Sequence, residues 1–126
     1  MERKIFFWVG IIWTVLIFMG CLLDGNTVSK VPSMEIPNKD KIAHFTFYFV
    51  FSIVWFNYIV KSKPNYSKIK LTIYIFTIAS ATGGVVEILQ YFFSPTRSAE
   101  WGDVFANCLG SLFGLLLCLT LITKKK

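Results

Sequence analysis

A set of polar side chains interrupts or borders the apolar stretches of this 126-residue sequence, and their types are those that bind charged groups or transfer protons. Glu87 is the clearest case, because it lies within GVVEILQYFF, where no other residue carries a charge. A carboxylate inside an apolar segment is costly, and it marks a functional site by default. The candidate site residues that share this placement are Asp40, Lys41, His44, Tyr48, Glu87, Gln90, Arg97, Asp103 and Asn107.

Recognition of an anionic amphiphile headgroup is the chemistry that these residue types favour. Lys41 and Arg97 supply positive charge, and a guanidinium binds phosphate through two parallel hydrogen bonds. Gln90 and Asn107 supply amides for sugar or amide groups, and the 13 Phe of the chain supply walls for acyl chains. We therefore expect a ligand-binding site for a phospholipid or a lipid-linked cell-wall intermediate.

Catalysis is the alternative chemistry. His44, Glu87 and Asp103 are candidate catalytic residues, because an imidazole and two carboxylates form an acid–base set. A membrane-embedded hydrolase or transferase acting on a lipid phosphate would use them in this way, whereas a binding site would use them to hold the basic groups or an ammonium. A third interpretation also stays open, in which His44 and Glu87 only join two helices of a structural or partner subunit.

Neither a cofactor nor a metal site is predicted from these patterns. The sequence has no Ser-His-Asp motif, no Gly-rich phosphate loop and only one His, so no pair of His stands at ligand spacing. One His with two carboxylates can hold an ion in principle. The three cysteines, Cys21, Cys108 and Cys118, lie in apolar runs and are predicted to be small buried hydrophobic residues.

Four apolar runs must position these residues, at 5–23, 42–60, 71–93 and 104–122. Each is long enough to cross a hydrocarbon core of about 30 Å as a helix that rises about 1.5 Å per residue. The chain is 55% hydrophobic and 16% charged, with a mean hydropathy of +0.60, and a soluble domain of this size does not bury so much apolar surface. We predict an all-α, four-helix transmembrane bundle that forms one domain over 1–126, with the first run retained rather than cleaved as a signal peptide.

The Lys and Arg residues predict the orientation of the bundle. Most of the 13 lie at the N-terminus, between the second and third runs, or in the C-terminal tail. The positive-inside rule places these segments, and both termini, in the cytoplasm. Loops 24–41 and 94–103 then face outward, and the candidate residues lie within roughly 10 Å of the outer boundary. The net charge of +6 flanks apolar runs, which favours membrane lipids over nucleic acid as the partner.

Helical spacing predicts that the polar residues face the bundle interior. Glu87 shares a helix face with Ala79 and Gly83, whose small size lets another helix approach. We expect a shallow polar pocket that is open to the outside, next to a small-residue packing face at Gly110 and Gly114. The polar stripes are Asp40, His44, Tyr48 and Ser52 on the second helix, Glu87 and Gln90 on the third, and Asp103, Asn107 and Ser111 on the fourth.

Four short motifs follow one another along the chain: DKIAHF at 40–45, EILQ at 87–90, PTR at 95–97 and DVFANCLG at 103–110. Together they resemble the VanZ-like family of small bacterial membrane proteins, whose pattern runs, loosely, as DK-x-x-HF, E-x-x-Q, P-x-R and D-x-x-x-N-x-x-G. The resemblance spans about 37–118. It implies a multi-pass protein of the bacterial cytoplasmic membrane with a role at the cell envelope, and the family is named for a member associated with resistance to the glycopeptide teicoplanin. A homodimer is compatible with four short helices.

Overall fold

Four helices make up the fold of this protein. The structure, a computed structural model, describes residues 1–22, 38–93 and 100–124. Over these residues the helices are α1 (Glu2–Leu22), α2 (Lys39–Ser62), α3 (Lys68–Phe93) and α4 (Trp101–Lys124). All four are long and apolar enough to cross a membrane, which confirms the predicted all-α, four-helix transmembrane class.

Each helix begins three residues before the apolar run that predicted it. The first turn of a helix has unpaired backbone N–H groups, so it favours polar and acidic residues that an apolar run leaves out. Glu2, Asp40 and Asp103 occupy the first turns of α1, α2 and α4. Just before α2, Asn38 adopts the left-handed conformation with φ of 59°, which Asn tolerates better than most residues, and its carbonyl accepts the N–H of Ile42.

The closest helix contact joins α4 to the backbone of α2. A Cβ at Gly110 would lie 2.1 Å from the carbonyl oxygen of Phe45, and one at Gly114 would lie 2.6 Å from that of Phe49. No side chain larger than hydrogen fits at either position without moving a helix. The predicted small-residue packing face is therefore confirmed, and it fixes the register in which the polar stripes of α2 and α4 meet.

The first helix is joined to the others by polar groups as well as by apolar packing. The indole Nε1 of Trp13 donates to the carbonyl oxygen of Phe47 on α2 at 2.9 Å. The amide Nε2 of Gln90 on α3 donates to the carbonyl oxygen of Cys21 at 2.6 Å. That carbonyl belongs to the last described turn of α1, so the bond ties this end of α1 to α3.

The apolar core consists of two clusters, one toward each end of the bundle. The first surrounds Ile17, Tyr48 and Val86, and the second surrounds Phe56, Leu71 and Leu115. By contrast, large apolar side chains on the outer faces of all four helices are exposed, among them Ile12, Ile42, Ile73, Ile88, Phe105 and Leu116. An outer surface of this kind is suited to lipid rather than to water.

Charged groups lie at both ends of the bundle. Glu2 at the start of α1 forms an ion pair with Lys61 at the end of α2. The ends of α1 and α3 and the starts of α2 and α4 form the opposite end, which we call the polar end because it contains His44, Glu87 and Asp103. Both ends of the described chain thus lie away from the polar end. The side of the membrane that each end faces stays a prediction from the distribution of Lys and Arg.

Candidate functional site

Three helices bring buried polar side chains together at the polar end. His44 lies in the second turn of α2 and Glu87 in the penultimate turn of α3. Asp103 and Asn107 lie in the first two turns of α4. Their exposed fractions are 3%, 4%, 7% and 1%, respectively. We call these four residues the polar cluster. Their burial confirms that Glu87 and its partners face the bundle interior.

A hydrogen bond between α2 and α4 sets the orientation of the imidazole. The Nδ1 atom of His44 lies 3.0 Å from Oδ1 of Asn107. A carbonyl oxygen only accepts hydrogen bonds, so Nδ1 is the donor in this bond. Nε2 lies 4.0 Å from Oε1 of Glu87 and 3.8 Å from Oδ2 of Asp103. Nε2 is thus near both carboxylates, at distances too long for a hydrogen bond.

The two carboxylates are only partly satisfied within the described residues. Oε2 of Glu87 accepts the backbone N–H of Glu100 at 3.2 Å. Oε1 of Glu87 and Oδ1 of Asp103 are buried and accept no hydrogen bond from the described part of the chain. The hydroxyl of Tyr48 and the donor Nδ2 of Asn107 are also buried without a hydrogen-bond partner among the described residues. Unsatisfied buried polar groups are costly, so four of them on neighbouring residues need an explanation beyond packing.

Lys41 lies at the rim of the polar cluster. Its Nζ is 3.1 Å from Oε2 of Glu100 and 3.8 Å from Oδ1 of Asp103. The Lys41 side chain is 40% exposed, whereas that of Asp103 is 10% exposed. Lys41 therefore offsets part of the negative charge of the cluster from outside, on a flexible side chain that can also reach a ligand.

The remaining predicted site residues are placed differently. Tyr48 lies one turn below His44 and is fully buried. Gln90 is buried too, but its amide nitrogen is already bonded to α1 through Cys21. Asp40 is exposed in the first turn of α2. Arg97 lies outside the described residues, so its predicted contact with phosphate stays a prediction.

Two residues outside the predicted set help to build the site. Glu100 contributes its backbone N–H to Glu87 and its carboxylate to Lys41. Gly83 makes room for Asn107, because a Cβ there would lie 2.8 Å from Nδ2 of that residue. Because Glu100 lies three residues before Asp103 in the sequence, its proximity to the polar cluster could have been predicted. No sequence signal indicates that a backbone N–H would bond to Glu87.

Two grooves reach the polar cluster from different sides. The larger, which we call the α3–α4 groove, has a volume of about 540 Å³. Its walls are mainly apolar and aromatic, and it is lined by Gly84, Glu87, Ile88, Tyr91, Phe92, Glu100, Trp101 and Val104. The smaller, which we call the α1–α2 groove, has a volume of about 260 Å³ and is lined by Gly20, Cys21, Lys39, Asp40, Ala43, His44 and Phe47.

Another cavity, of about 390 Å³, lies lower in the bundle between α1, α2 and α3. Its lining includes Phe18, Phe51, Trp55 and Tyr74, and it contains no carboxylate, His or Lys. A lining of this kind suits an acyl chain but not a charged headgroup. The two grooves at the polar end differ because each joins apolar walls to an ionisable residue of the polar cluster.

The fold and the site together define a small multi-pass membrane protein with a buried imidazole and two carboxylates near one end of its helices. The chain belongs to the VanZ/LLP1 family, whose model matches residues 6–122. The match covers nearly the whole chain and confirms the resemblance that the four motifs indicated. Comparisons with curated proteins and with solved structures give no match.

Proposed function

We propose that this protein binds the headgroup of an anionic amphiphile, a phospholipid or a lipid-linked cell-wall intermediate, at its polar end. The observation that carries the proposal is the position of Glu87, which belongs both to the polar cluster and to the lining of the α3–α4 groove. A ligand with a polar head and an apolar tail fits such a junction. The groove volume of about 540 Å³ also falls within the range of about 300–1,000 Å³ that is usual for ligand sites.

The walls of the α3–α4 groove suit the apolar part of this ligand. Ile88, Tyr91, Phe92 and Trp101 line the groove and are all more than half exposed on the outer surface of the bundle. In a bilayer these side chains contact lipid, so an acyl chain enters the groove from the membrane without crossing water. Tyr and Trp at the ends of membrane helices also favour the depth of the headgroups.

The charges at the polar end decide how the headgroup binds. Glu87, Asp103 and Glu100 outnumber Lys41, so a bare anion is repelled by the carboxylates. A headgroup that keeps a net negative charge but also carries an ammonium next to its phosphate satisfies the carboxylates while Lys41 meets the phosphate. Arg97 remains the second predicted phosphate ligand. The orientation of the polar end toward the outer leaflet belongs to the same proposal.

A second candidate function is favoured by one observation at the same site. The Nε2 atom of His44 lies within about 4 Å of oxygens of two buried carboxylates, which is an arrangement for general acid–base catalysis. Hydrolysis or transfer at a lipid phosphate would use it. A turnover assay with lipid phosphates, carried out with and without a chelator, separates this candidate from binding alone, because binding alone gives no product in either condition.

Native mass spectrometry of the protein purified in mild detergent tests the proposed function. The comparison includes the wild type, Glu87→Gln and a control, Glu2→Gln, which makes the same chemical change at the opposite end. We expect a discrete anionic or lipid-linked species on the wild type and on Glu2→Gln, and its loss from Glu87→Gln. Bulk phospholipid alone, in equal amounts on all three proteins, would instead favour the structural or partner subunit. The family link to glycopeptide resistance becomes testable once the bound species is identified.

A further inference from the structure

We propose that His44, Glu87 and Asp103 bind a divalent transition-metal ion. One potential ligand atom from each residue lies within 4.8 Å of the others, and all three residues are buried. The residues come from three different helices, so the ion would join α2, α3 and α4 at the polar end. The site differs from the expectation from sequence, in which no metal ligand was assigned.

The distances in the polar cluster suit an ion better than direct contacts between the side chains. Nε2 of His44 lies 4.0 Å from the nearest oxygen of Glu87 and 3.8 Å from that of Asp103. Both values exceed the hydrogen-bond range of about 2.7–3.2 Å, so no proton is shared between these atoms. In a tetrahedral site, metal–ligand bonds of about 2.0–2.2 Å place two ligand atoms about 3.3–3.6 Å apart. The separations between His44 and the carboxylates are within about 0.5 Å of this range, which small side-chain rotations cover.

The groups around these three residues orient them as metal ligands. Asn107 accepts the Nδ1 proton of His44, which leaves Nε2 as the ligand atom. Metal-binding imidazoles are commonly held by such an acceptor on their other nitrogen. The backbone N–H of Glu100 holds Oε2 of Glu87 in the same manner, while Oε1 has no hydrogen-bond donor among the described residues. The unsatisfied oxygen thus lies on the side of the carboxylate that is nearer to His44.

Charge and chemistry select the class of ion. Two carboxylates buried beside each other repel, and Lys41 contacts only Asp103 of the pair, from the rim. A dication neutralises both. One imidazole with two carboxylates suits first-row ions such as Zn²⁺ and Mn²⁺, whereas Ca²⁺ and Mg²⁺ prefer oxygen ligands alone. The α1–α2 groove, which is lined by Asp40 and reaches His44, provides a path for a hydrated ion.

Three protein ligands leave at least one position of the ion open. A phosphate oxygen of the headgroup fits there, so the ion would link an anionic ligand to carboxylates that otherwise repel it. This part of the inference rests on the proposed function. The binding of the ion does not, and the two are measured separately.

Metal binding is tested on untagged protein in detergent, stripped with a chelator and titrated with Zn²⁺ or Mn²⁺. We expect one ion per chain in the wild type and in Glu2→Gln, a control that removes a carboxylate at the opposite end of the bundle. Glu87→Gln and Asp103→Asn should lose more than tenfold in affinity. Circular dichroism and gel filtration of each variant identify any that fail to fold. Absence of saturable binding of either ion to the wild type overturns the proposal, whatever the variants do.

Spectroscopy of the Mn²⁺-bound protein gives a second readout. The chain has only one His, so a ¹⁴N coupling from imidazole in the pulsed electron paramagnetic resonance spectrum can come only from His44. We expect that coupling in the wild type, and its absence from bound Mn²⁺ would overturn the assignment of His44 as a ligand. Native mass spectrometry of the protein with and without added Zn²⁺ then separates the two proposals. Lipid retained without any metal affinity refutes the ion, and one bound ion without a discrete lipid refutes the proposed function.

Discussion

The two ends of the bundle place charged side chains of similar type in opposite environments, one exposed and one buried. At the end near the N-terminus, Glu2 and Lys61 form an ion pair whose side chains are 74% and 35% exposed. At the polar end, His44 and Glu87 face each other with side chains that are 4% and 5% exposed, and no hydrogen bond joins them. An exposed pair contributes about 0–1 kcal/mol to stability and costs little if it is lost.

The buried side chains at the polar end, by comparison, lower the stability of the fold. Each unsatisfied polar atom in a buried place costs about 1–3 kcal/mol, and the polar cluster and Tyr48 together contain several such atoms. Apolar residues of similar volume would pack in the same space without that cost. The lower half of the bundle shows this solution, with Phe56, Leu71 and Leu115 packed together. The difference supports the proposal that the polar end serves a ligand and that the remainder of the bundle is the scaffold for it.

The largest effect is expected where α2 and α4 touch. Gly110→Ala places a Cβ 2.1 Å from the carbonyl oxygen of Phe45, so the two helices must separate and the polar cluster must open. We expect a loss of stability of about 3 kcal/mol or more, together with loss of lipid binding. Gly84→Ala is the control for stability, because no atom of another described helix lies within 4 Å of its Cβ position and Ala favours a helix. Thermal unfolding in detergent measures the stability of both variants. Equal stability would contradict the close contact between α2 and α4.

Asn107→Ala is expected to affect the polar cluster more than the fold. His44 loses the acceptor that holds Nδ1, so affinity for the ligand of the cluster should fall about 10–100-fold. Ser52→Ala is the control one layer lower, where Ser52 and Ser111 hydrogen-bond at 2.7 Å, and it should lose about 1 kcal/mol of stability without affecting binding. Lipid retention and Zn²⁺ titration report the first effect. If both variants reduce binding equally, the orientation of His44 is not what matters.

Gln90→Leu tests whether a predicted ligand residue has a structural role instead. The change removes the hydrogen bond that Nε2 of Gln90 donates to the carbonyl oxygen of Cys21, near the end of α1. We expect a loss of about 1–3 kcal/mol in stability. Lipid and metal binding at saturation should persist, because α1 contributes no residue to the polar cluster. Loss of binding at unchanged stability would return Gln90 to the ligand site that the sequence predicted.

The smallest effect on stability is expected at the rim. Lys41→Gln breaks an exposed contact with Glu100, so stability should change by less than about 1 kcal/mol. Selectivity for anionic over zwitterionic lipids should nevertheless decrease, since Lys41 is the cation nearest to the polar cluster among the described residues. Lys61→Gln makes the same change at the other end and should leave selectivity unaltered. Identical lipid profiles of the two variants would remove Lys41 from the proposed site.

The sequence predicts most of the fold, and the reasons are physical. A membrane helix must be apolar over most of its length, so the four runs identify α1 to α4 even though each helix begins three residues earlier. The inward face of α3 also follows from the sequence, because Ala79, Gly83 and Glu87 recur every four residues. Helical periodicity is a local property, so it can be predicted from a single sequence.

The details of the site depend on the register between helices, which sequence alone does not specify. The hydrogen bond from His44 to Asn107 requires α2 and α4 to meet at one level, and Gly110 sets that level only through contact with a backbone carbonyl. The bond from Gln90 to Cys21 uses a carbonyl group, which every residue has. The hydrogen bond from the backbone N–H of Glu100 to Glu87 cannot be predicted for the same reason, because it uses a backbone group.

Paired measurement of stability and ligand binding on Glu87→Gln is the most direct test of the claim that the polar end serves a ligand. The wild type and Glu2→Gln are compared with it in the same detergent. We predict that Glu87→Gln loses its discrete bound lipid. With lipid and metal stripped from all three proteins, its unfolding temperature should equal or exceed that of the wild type, because the change removes a buried charge whose Oε1 has no hydrogen-bond partner among the described residues. A lower unfolding temperature with unchanged lipid would contradict the account, and it would show that Glu87 only holds the helices together.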